Sequence, residues 1–263
     1  MNPTGHSFEA VVTAPTCTED GYTTHTCHCG ETYVDSYVDA LGHEWSEWTV
    51  SVEADCLNDG EEIRTCAVCG ETETRVTEKR TECPSDAFSD LDKTQWYHEG
   101  VDFVLDNGLM KGMSDTIFAP NGQVTRAQLV TILYRLEGQP SVEGMENPFE
   151  DVAEDTWYTD AVIWAANAGV VNGTSETTFD PNAAITREQI AAILFRYAGA
   201  EAVEEDHLKD FADADKISTY AVDAMNWAVS EGLITGMGDG TVAPRATATR
   251  AQIATILMRY CAE

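Results

Sequence analysis

A single unit recurs three times in the C-terminal two-thirds of the chain, and it restricts the possible folds more than any other feature. The first copy runs from Phe88 as FSDLDKTQWYHEGVDFVLDNGLMKGMSDTIFAPNGQVTRAQLVTILYRLEG. The second runs from Phe149 as FEDVAEDTWYTDAVIWAANAGVVNGTSETTFDPNAAITREQIAAILFRYAG, and the third starts at Phe211. Phe88 to Phe149 and Arg126 to Arg187 are both shifts of 61, and Arg187 to Arg250 is a shift of 63. A unit this short cannot bury its own apolar face, so the copies must bury theirs against one another.

Each copy reads the same way. An F-x-D opening offers a buried aromatic and a helix-capping aspartate (Asp90, Asp151, Asp213). A first helix follows, with Ala161, Trp164, Ala165 and Ala168 on its apolar face in the second copy. Gly108, Gly169 and Gly232 stand where a glycine ends a helix. A loop through a second glycine (Gly112, Gly173, Gly236) leads to a proline and then to a second helix. That helix begins at T-R-[AE]-Q and has Leu129, Ile132, Leu133 and Leu136 as its core face in the first copy. Thr125, Thr186 and Thr249, each followed three residues later by Gln, make a capping box.

The box accounts for Thr and Gln but not for Arg126, Arg187 and Arg250. A cation in a helix's first turn opposes the helix dipole at about 0.3–1 kcal/mol. The choice is made three times in an Arg-poor chain, so a negative group is expected at each. Two readings stand: an anionic ligand at the free N–H groups of the helix start, or an acidic residue of the neighbouring copy. Trp96 and Trp157, just ahead of the first helices, suit either sugar stacking or the core, whereas Tyr97 and Tyr158 read as core.

The three copies resemble S-layer homology modules. The resemblance rests on the F-x-D opening, Trp96-Tyr97 and Trp157-Tyr158, the G-[LV]-[MVI]-x-G turn, the F-x-P steps Phe118–Pro120 and Phe179–Pro181, and the TR[AE]Q box. It covers roughly 85–263, with modules at 85–140, 146–200 and 208–263. The third copy departs from the pattern, with Thr219 aligned to the tryptophans and Val242 to the phenylalanines. The resemblance implies a mainly α fold in which three modules form one pseudo-threefold helical spindle, a monomer that is a trimer of its own repeats. It further implies non-covalent anchoring to the bacterial cell wall, through a secondary cell-wall polysaccharide bearing pyruvylated amino sugars. The implied ligand-binding residues are Arg126, Arg187 and Arg250 with Thr125, Thr186, Thr249, Gly112, Gly173, Gly236, Trp96 and Trp157, in an extracellular setting.

Upstream, seven of the eight cysteines fall within the first 83 residues. Two Cys-containing repeats, 1–44 and 45–84, align there, and alternating segments such as Thr-Tyr-Val-Asp-Ser-Tyr-Val predict a small region rich in β-hairpins. Ten residues separate Cys17 from Cys27 and Cys56 from Cys66, and fourteen separate Cys29 from His43 and Cys69 from Cys83. Taken repeat by repeat, this predicts a Cys17, Cys27, Cys29, His43 zinc set and a Cys56, Cys66, Cys69, Cys83 zinc set. A second register, led by His6 and His43, ranks lower because its spacings differ between copies. Disulfides are the competing reading for an exported protein, and Cys261 has no clear partner. These units resemble short Cys-containing repeats of surface proteins from Gram-positive anaerobes.

Charge excludes much else. With 46 acidic against 15 basic residues, the net charge is −31, which disfavours nucleic acid and anionic membranes as partners. No apolar run approaches the ~20 residues of a membrane-spanning helix, and no signal peptide stands at residues 1–10. No nucleophile elbow, P-loop or HExxH motif is present, so the chain reads as a non-enzyme. The alternative to wall anchoring is a surface protein-interaction or metal-binding module for which the C-terminal repeats serve only as a tether.

Overall fold

The computed structural model describes residues 5–262. The chain divides at Cys83/Pro84 into two compact units. Among the described residues, six strands lie in the first unit and six α-helices in the second. With 28% of the chain helical, mainly α is too strong a description; it applies only to the regular elements of the second unit, which loops otherwise dominate.

The N-terminal unit contains two three-stranded antiparallel meanders, β1 (Phe8–Thr13), β2 (Gly21–Cys27) and β3 (Thr32–Val38), then β4 (Thr49–Val52), β5 (Gly60–Thr65) and β6 (Thr72–Thr77). Phe8 pairs with Cys27 and Thr13 with Tyr22, so the first hairpin is in register along its whole length. Val11, Val12, Tyr37 and Val76 are exposed, and among the described residues of this unit the only buried apolar side chains are Cys17, Cys27, Cys66 and Cys83. A hydrophobic core is therefore absent among its described residues.

The C-terminal unit is the opposite case. Its first helices are α1 (His98–Asp106), α3 (Thr159–Asn167) and α5 (Val222–Ser230); the second helices are α2 (Arg126–Leu136), α4 (Arg187–Tyr197) and α6 (Arg250–Cys261). Each first helix packs on the second helix of the preceding copy: α3 on α2, α5 on α4, and α1 on α6, which closes the ring. The α1–α6 seam is tight, since a Cβ at Gly100 would come within 2.8 Å of the Thr255 backbone. The extended segments leading into the second helices meet in a cycle of three main-chain bonds. Ile185 N donates to Val124 O (2.9 Å), Ala248 N to Ile185 O (3.0 Å) and Val124 N to Ala248 O (3.1 Å). All three residues are fully buried, and Leu133, Leu194 and Leu257 extend the core around them.

The local signals explain these elements. Thr125, Thr186 and Thr249 accept from the backbone of Gln128, Gln189 and Gln252, whose side chains accept from the threonine N–H groups in return, so all three capping boxes form. Gly108, Gly169 and Gly232 adopt positive φ at the ends of the first helices, where an L side chain would be strained. Asp90, Asp151 and Asp213, expected as helix caps, do something else. Each carboxylate accepts from two consecutive amides of the F-x-P step of its own copy, V-x-P in the third: Phe118 and Ala119 on Asp90, Phe179 and Asp180 on Asp151, Val242 and Ala243 on Asp213, all at 2.7–2.9 Å. The clamped Ala119, Asp180 and Ala243 have φ of 59°, 58° and 49°. The aspartate thus holds a non-glycine residue in the left-handed region, which costs about 1–2 kcal/mol when unsupported.

Candidate functional site

The repeat arginines are buried (4–7% exposed) and reach across copies. Arg126 donates from Nε to Phe179 O (2.8 Å) and from Nη2 to Asn172 O (3.1 Å). Arg187 makes the same bonds to Val242 O (2.8 Å) and Thr235 O (2.6 Å), and Arg250 to Phe118 O (2.7 Å) and Lys111 O (2.5 Å). First copy grips second, second grips third, third grips first. Arg126 and Arg250 also lie over the rings of Phe179 and Phe118, at 4.6 and 4.4 Å from the centroids.

An acid of the neighbouring copy is present, but one hydrogen bond further back. Asp151 orients the Phe179 amide, and the Phe179 carbonyl takes Arg126 Nε. Among the described residues, none of these arginines forms an ion pair within 4.0 Å. Burial pushes all three guanidinium groups below their ordinary value, only partly offset by Asp180, Asp213 and Asp90 for Arg126, Arg187 and Arg250 respectively. They stay charged, so each is a desolvated cation with no direct counter-ion.

Each arginine opens into a groove built from all three copies. One groove, of about 340 Å³, joins Trp96 of the first copy, Arg187 of the second and Gly236, Gln252 and Arg259 of the third. The next, of about 220 Å³, joins Trp157 of the second copy, Arg250 of the third and Gly112, Gln128 and Arg135 of the first. The last, of about 420 Å³, joins Tyr220 of the third copy, Arg126 of the first and Gly173, Gln189 and Arg196 of the second. The same chemistry of two arginines, one glutamine, one glycine and one aromatic appears three times.

The aromatics are exposed, Trp96 by 63%, Trp157 by 61% and Tyr220 by 56%, while Tyr97 and Tyr158 are buried. Tyr97, Tyr158 and Ala221 occupy the same position before their helices, so Tyr220, not Thr219, is the counterpart of the tryptophans. The third copy therefore keeps the exposed groove aromatic, although Val242 and Ala221 replace the buried phenylalanine and tyrosine of the other two. Burial raises the Tyr220 hydroxyl pKa, and Glu188 raises it further. Glu188 is itself buried and accepts from Ser218 N and Oγ at 2.9 Å.

Other expected residues turn out differently. Thr125, Thr186 and Thr249 spend their hydroxyls on capping and do not line the grooves. Gly112, Gly173 and Gly236 do line them, and they are glycines for a packing reason. A Cβ would come within 2.3 Å of the Phe88 ring at Gly112, and within 2.8 Å of Phe149 and Phe211 at the other two. Sequence reading missed Arg135, Arg196 and Arg259. Each lies nine residues after the TR-box arginine in L-x-R or F-R, a signal visible in all three copies. A cation in a helix's last turn suits the dipole, so it draws no notice. Arg135 and Arg259 donate to the Leu109 and Gly232 carbonyls, and burial lowers the Arg196 pKa.

The cysteines regroup. Cys56 and Cys83 form a disulfide, so the set Cys56, Cys66, Cys69, Cys83 does not assemble. The set Cys17, Cys27, Cys29, His43 does not assemble either. Cys17 and His43 join Cys66 and Cys69 of the other repeat, with the four donor atoms within 4.8 Å of one another, and His6 joins Cys27 and Cys29. This is the register led by His6 and His43. Repeat-by-repeat spacing missed it because it assigns ligands within a repeat, whereas the chain shares them between repeats. Cys261 is exposed at the end of α6 and belongs to neither group.

The sequence model of the S-layer homology domain matches residues 87–130, 148–191 and 210–254. Among curated proteins, an endoglucanase of Bacillus sp. (strain KSM-635) is 34% identical over 173 residues, 65% of this chain and 18% of the relative. The surface-layer 125 kDa protein of Lysinibacillus sphaericus is 32% identical over 179 residues, 65% of this chain and 15% of its own. The S-layer protein sap of Bacillus anthracis is 26% identical over 173 residues, 65% of this chain and 21% of its own. The chain thus spans about a fifth or less of the length of these relatives. The endoglucanase aligns only over the three-copy region, so its catalytic name does not extend to the residues compared.

Proposed function

Since the chain belongs to the S-layer homology family, with three modules matched, we propose that it is a non-catalytic cell-surface protein that anchors to the bacterial wall by binding an anionic secondary polysaccharide in its three inter-module grooves. One observation carries the reading. In a chain of net charge −31, six arginines are gathered in pairs in three equivalent grooves, beside an exposed aromatic, without a direct acidic partner. A buried guanidinium without a counter-ion is costly, and an anion entering the groove offsets that cost. Nη1 of each TR-box arginine remains available for a carboxylate, such as the ketal carboxylate of a pyruvylated sugar. The exposed Trp or Tyr supplies an apolar face for the sugar ring. The cyclic closure of α1 on α6 supports a pseudo-threefold spindle as the frame for the three grooves. No helix among the described residues is long and apolar enough to cross a membrane.

The TR-box arginines also hold the modules together, so replacing them tests folding and binding at once. Trp96, Trp157 and Tyr220 avoid this confusion. In cosedimentation with Gram-positive cell walls, the Trp96→Ala/Trp157→Ala/Tyr220→Ala protein is expected to bind at least tenfold more weakly with its thermal midpoint nearly unchanged. Wild-type binding should vanish when the secondary polysaccharide is stripped. Undiminished binding to stripped walls would sink the proposal.

A further inference from the structure

The N-terminal unit poses a physical problem. Its described part, residues 5–83, buries no aliphatic or aromatic side chain, yet it holds two meanders in a defined register. Units this small without an apolar core need a staple, covalent or metallic. The Cys56–Cys83 disulfide closes the second repeat on itself and does not tie it to the first. Side chains of both repeats meet instead in a cluster at their junction.

We propose that Cys17, His43, Cys66 and Cys69 form a structural zinc site that fastens the second Cys repeat to the first. Cys17 precedes β2 of the first repeat, Cys66 and Cys69 follow β5 of the second, and His43 comes from the segment between. That segment is threaded through both repeats. Leu41 N and Gly42 N donate to Thr16 O and Cys17 O (2.9 and 3.0 Å), and Glu44 O accepts from Ala67 N (2.8 Å). His43 is thereby placed between the two cysteine-bearing turns.

The distances suit one tetrahedral ion. Thiolates about 2.3 Å from zinc lie roughly 3.8 Å from one another, and a thiolate and an imidazole nitrogen roughly 3.6 Å apart. Cys17 Sγ and Cys66 Sγ are 3.9 Å apart, and Cys69 Sγ and His43 Nδ1 are 3.4 Å apart. The Cys66-Ala-Val-Cys69-Gly70 turn is a knuckle, with Gly70 N donating to Cys66 O (3.0 Å) and Gly70 at φ 76°. The histidine separates zinc from disulfide bonding, since it has no part in an S–S bond. Its Nδ1 faces the sulfur cluster while its Nε2 faces Glu71 Oε2 at 3.5 Å, the carboxylate–histidine arrangement that orients imidazole ligands on zinc. Zinc fits three thiolates and one imidazole better than the oxygen-seeking cations do. The other trio, His6, Cys27 and Cys29, has one donor fewer and a more exposed histidine, with 57% of its side chain accessible against 20% for His43, and carries no such assignment.

The test uses the full chain in a Cys27→Ser/Cys29→Ser background, which removes the trio, loaded with cobalt(II) as the spectroscopic stand-in for zinc. One equivalent should bind with the intense visible bands of a tetrahedral thiolate site. Cys17→Ser and His43→Ala should each abolish those bands, although Cys17 lies in a different repeat from Cys66 and Cys69. Cys56→Ser/Cys83→Ser should leave them in place. Retention of the bands in Cys17→Ser, or their loss in Cys56→Ser/Cys83→Ser, overturns the assignment. Should Cys17→Ser fail to fold, thiol alkylation of the zinc-loaded parent decides the matter. Cys17, Cys66 and Cys69 should be protected together and released together by a chelator, with Cys261 reactive throughout. Independent reactivity of the three, or a disulfide among them in place of metal uptake, overturns it as well.

Discussion

The two units of this chain hold themselves together by opposite means. The C-terminal unit buries Phe118, Phe179, Leu129, Leu133, Ile185, Leu194 and Leu257 completely and closes three copies into a ring. The N-terminal unit buries cysteines and leaves its valines and tyrosines in water. The difference follows from what repetition can supply. Three amphipathic helix pairs cover one another's apolar faces, but two thin meanders have no apolar faces to share. Repetition in the first case multiplies a core, and in the second it multiplies cysteines and histidines. The proposed recognition follows the same difference, since a packed frame holds the buried arginines at the grooves of the second unit.

Metal removal should separate the units most sharply. Structural zinc in small domains contributes about 10–16 kcal/mol of apparent folding energy. Chelation with reduction of the disulfide is expected to strip β2 and β5 of protection against amide hydrogen exchange. Protection in α2, α4 and α6 should stay as it was. Persistence of protected amides in β2 and β5 after both treatments would show that some other force organises the N-terminal unit.

The reverse experiment deletes apolar volume. Leu194→Ala, at a fully buried site of α4, is expected to cost about 2–5 kcal/mol by the transfer and cavity terms. Val76→Ala, at an exposed site of β6, should change stability by no more than about 0.5 kcal/mol. Urea unfolding followed by the helical signal near 222 nm for the first, and by exchange in β6 for the second, measures both. Equal effects would erase the contrast between the two units.

A smaller loss, confined to one groove, is expected from Asp151→Ala. It leaves the amides of Phe179 and Asp180 without their carboxylate, at about 1.5–3 kcal/mol for charge-assisted bonds. It also loosens the carbonyl that receives Arg126 Nε, so wall binding should fall through one groove while the other two keep their affinity. A variant with full stability and reduced binding would mean instead that Asp151 acts on the ligand directly.

Much of this was legible in the sequence because it is local. T-x-x-Q encodes a capping box, and a glycine after a periodic run encodes a helix end; neither depends on what lies across the chain. The features that were not legible depend on partners distant in sequence. Asp90, Asp151 and Asp213 stand where a helix cap would, yet their partners are amides 28–30 residues away. Tyr220 was hidden by the spacing of the third copy, where aligning Thr219-Tyr220 on Trp-Tyr misses by one residue the position that the helix start fixes. Arg135, Arg196 and Arg259 were in plain view but had a sufficient local explanation in the helix dipole. The cysteine sets failed for a more general reason, since periodicity shows which positions are equivalent but not whether equivalent positions serve the same repeat.

The subtlest contrast between the units concerns backbone strain. Ala119 in the C-terminal unit and Ser36 in β3 both have positive φ, 59° and 55°. Glycine at either position relieves steric strain of about 1–2 kcal/mol and loses about 0.5–1 kcal/mol to the greater freedom of the unfolded chain. The net expectation for Ala119→Gly is a gain of about 0–1.5 kcal/mol, since the Asp90 clamp fixes the step with or without the methyl group. Ser36 has no such clamp; its hydroxyl donates to Asp35 within an exposed strand. A glycine there also gives up that bond and frees the native strand, so its gain should be smaller or absent. Thermal unfolding of the two variants, with the units followed separately, tests the difference. A larger gain at Ser36 than at Ala119 would mean that the carboxylate clamp already absorbs the strain in the C-terminal unit, so that the methyl group of Ala119 costs nothing.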